Sequence, residues 1–213
     1  AINDQSATNG MHDFGQDFIQ TIQQVEVYKG SNGVHFGPDA IGGAVNFITD
    51  VDYTDSYSLS GFSPKNNSID YNKTKITNND WHLNFKGASN QSITDSAKAD
   101  GKERDGSKNY QVNLNAKKWI NDNLKSKSTF YYRDTKTEYD KSDTREESVT
   151  SDNKMYAFQT GLESVSENSK NSAIFHYHNY DRKYREQGKK DKYYSESLVT
   201  KGESEFILNE NLS

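Results

Sequence analysis

Tyr110, Val112, Leu114 and Ala116 stand at every second position, and Gln111, Asn113 and Asn115 fill the places between them. A backbone that sends successive side chains to opposite faces turns this spacing into one apolar and one polar face, which is the signature of a strand. The same period returns at Trp81, Leu83, Phe85 and Gly87 against His82, Asn84 and Lys86. It returns again at Tyr156, Phe158, Thr160 and Leu162 against Gln159, Gly161 and Glu163, and at Ala173, Phe175 and Tyr177 against His176 and His178. Leu198, Thr200, Gly202, Ser204, Phe206 and Leu208 share a last such face. Each segment runs for roughly ten residues, the length a tilted strand needs to cross a bilayer.

The connections alternate in length. Short turns are expected at Asn78 to Asp80, Asn121 to Asn123 and Glu167 to Lys170, and long polar loops at Ser96 to Lys108, Lys141 to Asp152 and Gln187 to Ser195. Outer-membrane barrels carry this asymmetry, with short periplasmic turns and long extracellular loops. Eight strands are expected near 55–63, 67–77, 81–95, 108–120, 124–139, 153–166, 171–186 and 194–210, the first two being poorly alternating. Trp81 and Trp119 each lie within three residues of a short turn, where an interfacial aromatic girdle belongs. Trp119 falls on the lumenal side of its strand unless a bulge intervenes.

Apolar residues make up 31% of the chain and mean hydropathy is −1.07, values that suit a soluble or disordered chain on average. Fourteen tyrosines and ten phenylalanines argue against disorder. A transmembrane barrel reconciles the two, because each strand exposes apolar side chains on one face only. No run approaches the ~20 apolar residues of a membrane helix. The absence of cysteine excludes disulfides and thiolate metal sites. A net charge of −5 argues against a nucleic-acid partner.

Upstream of the alternating segments, composition changes abruptly. Val25 and Val27 begin a short strand, five glycines fall between Gly30 and Gly43, and Ala44 to Ile48 reads as a second strand. A phosphate-binding loop needs Gly-Lys-Ser/Thr at its end, and a dinucleotide fingerprint needs Gly-x-Gly-x-x-Gly opening a helix. Here Gly37 leads into Pro38-Asp39, and Gly43 into a β-branched and aromatic run, so a nucleotide site is not expected.

Ile22-Gln-Gln-Val-Glu-Val-Tyr-Lys-Gly30, Phe36-Gly-Pro-Asp-Ala-Ile-Gly-Gly43 and Ala44-Val-Asn-Phe-Ile-Thr49 closely resemble, in order and spacing, the end of the plug domain of TonB-dependent outer-membrane receptors. Ala1-Ile-Asn-Asp and Asn9-Gly-Met-His-Asp-Phe resemble the plug loop that precedes it. Lys29 stands where the family usually has Arg, Ser31 where Pro is common, and Phe36 where Tyr is usual. Lys offers one point charge where Arg offers a planar fork.

The resemblance implies a mainly all-β chain: the C-terminal part of a small α/β plug domain over residues 1–49, then about eight strands of a larger transmembrane antiparallel β-barrel over 50–213. Opening inside a motif without an initiating Met, the chain reads as a piece of a longer receptor. It implies location in the outer membrane of a Gram-negative bacterium and uptake of a scarce nutrient such as a ferric siderophore, haem or cobalamin. Its partners would be outer-membrane lipid, the small-molecule nutrient, and TonB through an N-terminal segment; the complete receptor would be a monomer. Asn3, Asp4, Gln5, Asn9 and His12 would line an apical plug loop and contact substrate. Glu26 and Lys29 would anchor plug to barrel. The alternative is a non-transporting surface β-protein, an adhesin or binding module whose loops hold a partner.

His176 and His178 lie two apart on one strand face and are expected to line a polar lumen, since no third metal ligand is near in sequence. Glu138, Asp140, Asp143, Glu146 and Glu147 lack the spacing of a calcium loop and are expected in a solvated extracellular loop. No Ser/His/Asp set or carboxylate pair has interpretable catalytic spacing, so neither an enzyme nor a cofactor is expected.

Overall fold

The computed structural model describes residues 22, 24–31, 40–48, 55–63, 66–77, 81–92, 106–142, 145–186 and 188–206. These form ten antiparallel strands and no helix. Strand β1 (Gln24–Lys29) pairs with β2 (Gly43–Ile48) as a separate hairpin, closed beyond its last rung by Gly30 N–H donating to Gly42 O at 3.2 Å. The other eight make one sheet: β3 (Ser56–Ser63), β4 (Asn66–Ile76), β5 (Trp81–Ser92), β6 (Ser107–Asn121), β7 (Leu124–Ser142), β8 (Arg145–Val165), β9 (Ser169–Glu186) and β10 (Lys189–Phe206). Each strand pairs with its neighbours in sequence, the up-and-down order of a barrel wall.

Register carries the two-residue alternation from strand to strand, so one polar and one apolar face run across the sheet. Phe85, Leu114, Phe130, Phe158, Tyr177 and Leu198 are successive partners on the apolar face. Tyr57, Tyr71, Gly87, Val112, Tyr132 and Tyr156 form the row beside them. Ring contacts knit adjacent strands, with centroids 5.0 Å apart for Tyr132 and Tyr156 and 5.9 Å for Tyr71 and Phe85. Such pairs contribute about 0.5–1.5 kcal/mol each beyond area burial. Yet Leu59, Leu114, Phe158 and Leu198 are all exposed. A continuous exposed apolar face marks a surface that meets another apolar phase. The buried residues are predominantly polar and lie on the opposite face, among them Asn84, Asn113, Arg133 and Asn153. This is a soluble protein's plan turned inside out.

Two expected loops are strand instead. Lys141 to Asp152 was expected to be an extracellular loop, but β7 and β8 remain in register through Thr137↔Ser151 and Tyr139↔Val149 up to Ser142↔Arg145. Glu138, Asp140, Glu146 and Glu147 therefore sit on paired strands; Asp143 lies outside the described residues. Likewise β9 and β10 pair from Lys189↔Glu186 onward, so the segment from Gln187 to Ser195 is nearly all strand. Gly188 makes the reversal with φ +78°, a backbone conformation only glycine adopts without strain. Both segments are mostly polar, Val149, Tyr193 and Tyr194 excepted, so composition alone suggests loop, whereas backbone pairing has no need of an apolar face. The loop expected at Ser96 to Lys108 is strand from Ser107; residues 93–105 lie outside the described residues.

Trp119 departs from the expected girdle. The register does shift, but between Trp119 and Asn121, after the tryptophan, and Trp119 still opposes Lys125 on the polar face. Its ring lies 5.8 Å from Lys117 Nζ and 5.3 Å from Lys125 Nζ, at the rim near the short β6–β7 turn. Trp81 lies on the apolar face as expected, with Lys118 Nζ 5.2 Å from its ring.

The sheet is open: β3 and β10 are its two ends. An unpaired strand edge is a template for another chain. Refolded alone in detergent, residues 1–213 are expected to give polydisperse, protease-sensitive oligomers by light scattering and limited trypsin digestion. A monodisperse, protease-resistant monomer would show that eight strands close on themselves, as the smallest barrels do.

Candidate functional site

The polar face is built by parity. Asn72 and Thr74 of β4, Asn84 of β5, Asn115 of β6 and Thr129 of β7 all fall on it, and their side chains form a continuous chain. Asn84 Nδ2 donates to Asn72 Oδ1 at 2.6 Å and to Thr74 Oγ1 at 3.0 Å. Asn115 Nδ2 donates to Asn84 Oδ1 at 3.2 Å, and Thr129 Oγ1 donates to Asn115 Oδ1 at 3.0 Å. Near the short turns, then, the wall satisfies much of its own polarity.

Toward the long hairpin ends the same face changes character. Gln111, Arg133, Met155 and Tyr180 form one register row, and Asn109, Thr135, Asn153 and Arg182 the next. Asn153, Thr135 and Asn113 are each 1% exposed. Asn153 Oδ1 and Nδ2, Thr135 Oγ1 and Asn113 Oδ1 have no hydrogen-bond partner among the described residues. A buried polar group left unpaired costs about 1–3 kcal/mol, so this half of the wall is suited to receiving hydrogen-bonding groups from water or another molecule.

His176 and His178 meet on this face, with His178 Nδ1 3.3 Å from His176 Nε2. His178 is buried. Among the described residues no three His, Asp or Glu side chains are grouped to hold a metal ion. At the rim, Lys125 and Glu163 are cross-strand partners with Nζ 2.6 Å from the carboxylate, below the Trp119 ring.

In the β1–β2 hairpin, Glu26 accepts hydrogen bonds from Asn46 Nδ2 at 3.0 Å, Tyr28 Oη at 2.8 Å and Gln24 Nε2 at 3.2 Å. Asn46 first, and Tyr28 second, hold its carboxyl below the ordinary value of 4.5, and Glu26 in turn raises the Tyr28 phenol. A depressed carboxyl stabilises the hairpin fully above its unfolded value, and the contribution disappears as pH falls through the folded value. Amide protection in β1 and β2, taken relative to the intrinsic exchange rate at each pH, is expected to fall on acidification below about pH 4.5, and in Glu26→Gln to lose that step. An identical pH profile in the variant would remove Glu26 from the hairpin's stability.

Lys29 ends β1, exposed and opposite Gly43. Alternation sets it on the face of Val25 and Val27, while Glu26 shares the other face with Gln24 and Tyr28. The two side chains assigned to plug anchoring thus look in different directions. Asn3, Asp4, Gln5, Asn9 and His12 lie outside the described residues.

Arg133 and Arg182 on the polar wall escaped the sequence reading, whereas Lys86 was on the face expected of it. Parity was the available signal: Phe130 and Tyr132 mark the apolar face of β7, which leaves Arg133 opposite. The run Phe130-Tyr131-Tyr132 hid it by putting an aromatic on both faces.

No protein-family model matches the sequence, and no curated protein matches it. Among solved structures, the chain is similar to the siderophore receptor PiuA from Acinetobacter baumannii, with a TM-score of 0.73 at 14% identity. The match covers 90% of this chain and 33% of that one, so the chain spans about a third of the receptor's length. Likeness at this identity speaks for the fold, and here it agrees with a wall apolar outside, polar inside and paired in sequence order. In fold, the chain is a stretch of antiparallel β-barrel wall similar to that of this siderophore receptor.

Proposed function

We propose that the chain is part of an outer-membrane receptor that captures a scarce nutrient outside a Gram-negative cell and imports it with energy delivered through TonB. The observation that carries this reading is the eight-stranded meander with a continuous apolar outer face and a buried polar inner face, in the fold of a siderophore receptor. The outer face would meet lipid. The hydrogen-bonding inner wall would enclose the plug and, toward the long hairpins, the cargo. A ferric siderophore, haem or cobalamin would each suit a wall of amides and guanidiniums. Residues 1–49 would be the end of the plug, with Lys29 and Glu26 touching different parts of its surroundings. An adhesin would have no use for a lipid-sized apolar band around a polar interior.

Asn3, Asp4, Gln5, Asn9 and His12 would form the plug's part of the cargo site, where a few placed donors and acceptors give selectivity. In the complete receptor, Asn9→Ala with His12→Ala is expected to raise the dissociation constant for its nutrient at least tenfold, about 1.4 kcal/mol. The amount of receptor in the outer membrane should not change. Unimpaired uptake at limiting nutrient would leave the loop a structural element only.

A further inference from the structure

Just beyond the apolar band, toward the long hairpins, the outer face turns basic. Lys108, Lys136, Asp152, Lys183 and Lys192 are successive register partners on that face, one level of the wall across five strands. The next level carries Glu138, Thr150, Arg185 and Lys190. Six basic side chains thus face two carboxylates, in a chain whose net charge is −5. Both carboxylates are already engaged: Asp152 with Arg185 at 2.8 Å and Glu138 with Lys136 at 2.8 Å. Lys183 is 3.3 Å from Asp181, one level nearer the apolar band. Lys108, Lys190 and Lys192 are exposed and have no ion pair among the described residues.

Height decides what such a belt can meet. Lys136 lies four residues beyond Tyr132 on the same face, about 13 Å along the strand. Tyr132 is part of the apolar band, so the belt stands at the level of lipid headgroups rather than far out in solvent. Lysine stems lie along apolar surface and carry the ammonium to a polar interface. Basic side chains there gain from negative headgroups, and the attraction falls off within a Debye length. Solvated charge needs no common sign and no common level.

We propose that this belt binds the phosphorylated headgroups of lipid in the outer leaflet, with Lys108 and Lys192 supplying the uncompensated charge at one level and Lys190 at the next. The inference rests on the outer-membrane reading. It goes beyond it by assigning a lipid site to the outside of the wall, away from the cargo.

The complete receptor would be reconstituted into phosphatidylcholine nanodiscs containing lipid A or its dephosphorylated form, then re-extracted and weighed by native mass spectrometry. Wild type is expected to retain lipid A and not the dephosphorylated lipid. Lys108→Gln with Lys190→Gln and Lys192→Gln should cut retention at least fivefold, and the same three positions changed to Arg should restore it. Lys127→Gln, on the inner face, should leave retention unchanged. Equal retention by wild type and the triple Gln variant, or equal retention of both lipids, would overturn the inference and leave the belt merely solvated. Free inorganic phosphate displacing the lipid at low millimolar concentration would overturn it too, by showing an ion site without lipid recognition. A receptor that never enters the nanodisc overturns the membrane reading and this inference together; one that enters without discriminating overturns this inference alone.

Discussion

Leu114→Arg in the complete receptor is expected to lower stability by about 2–4 kcal/mol, the cost of a cation at the middle of the lipid-facing side of a barrel. Leu114 sits between Phe85 and Phe130 in the central row of the apolar face, and neither partner offers it a carboxylate. Its exposure is not idle: a soluble protein tolerates arginine at an exposed leucine within about 0.5 kcal/mol. Urea titrations in lipid vesicles would measure the loss. Gln159→Arg serves as the reference, being one rung along and two strands across but on the inner face, where it opposes Thr129. That variant should lose well under half as much. If both substitutions cost the same, the two faces are not lipid and lumen.

Gly43→Val is expected to destabilise the β1–β2 hairpin by about 2–4 kcal/mol, from backbone strain together with overpacking. Gly43 has φ +147°, and a Cβ there would stand 2.4 Å from the Tyr28 carbonyl oxygen, an atom of the opposing strand that cannot rotate away. Gly42→Ala beside it meets nothing within 4 Å and carries no positive φ, so it should be near neutral. Hydrogen exchange at Glu26 and Tyr28, whose N–H groups point toward β2 as that of Gly30 does, would report the difference. About 2.7 kcal/mol corresponds to a hundredfold faster exchange. Unaltered protection in Gly43→Val would mean that the two strands do not approach this closely.

Much of the wall was legible because alternation is a local property. Strands β5, β6, β8, β9 and β10 each contain a stretch in which apolar and polar residues trade places every second position, and the pleat converts that directly into two faces. The inner wall was readable in the same way as far as Asn84, Asn113, Asn115 and His178. Which of its amides bond to one another was not. Asn84 is 31 positions from Asn115, and their 3.2 Å contact depends on the register of β5 with β6.

What the sequence determined by itself is the crossing segments, their two faces and the glycine-bounded hairpin before them, since each follows from spacing within a dozen residues. The tertiary structure decided where the strands end. The described parts of Lys141 to Asp152 and Gln187 to Ser195 lie beyond the apolar band, where mostly polar residues follow one another and side-chain pattern does not mark a face. Their strand character comes from backbone hydrogen bonds to a partner already aligned below them, as Phe130↔Phe158 aligns Ser142↔Arg145. The face of Trp119 was settled the same way, by a register shift one residue too late to turn it outward. So was the basic belt: Lys108, Lys136, Lys183 and Lys192 are scattered through the chain, and only the shared register brings them to one height.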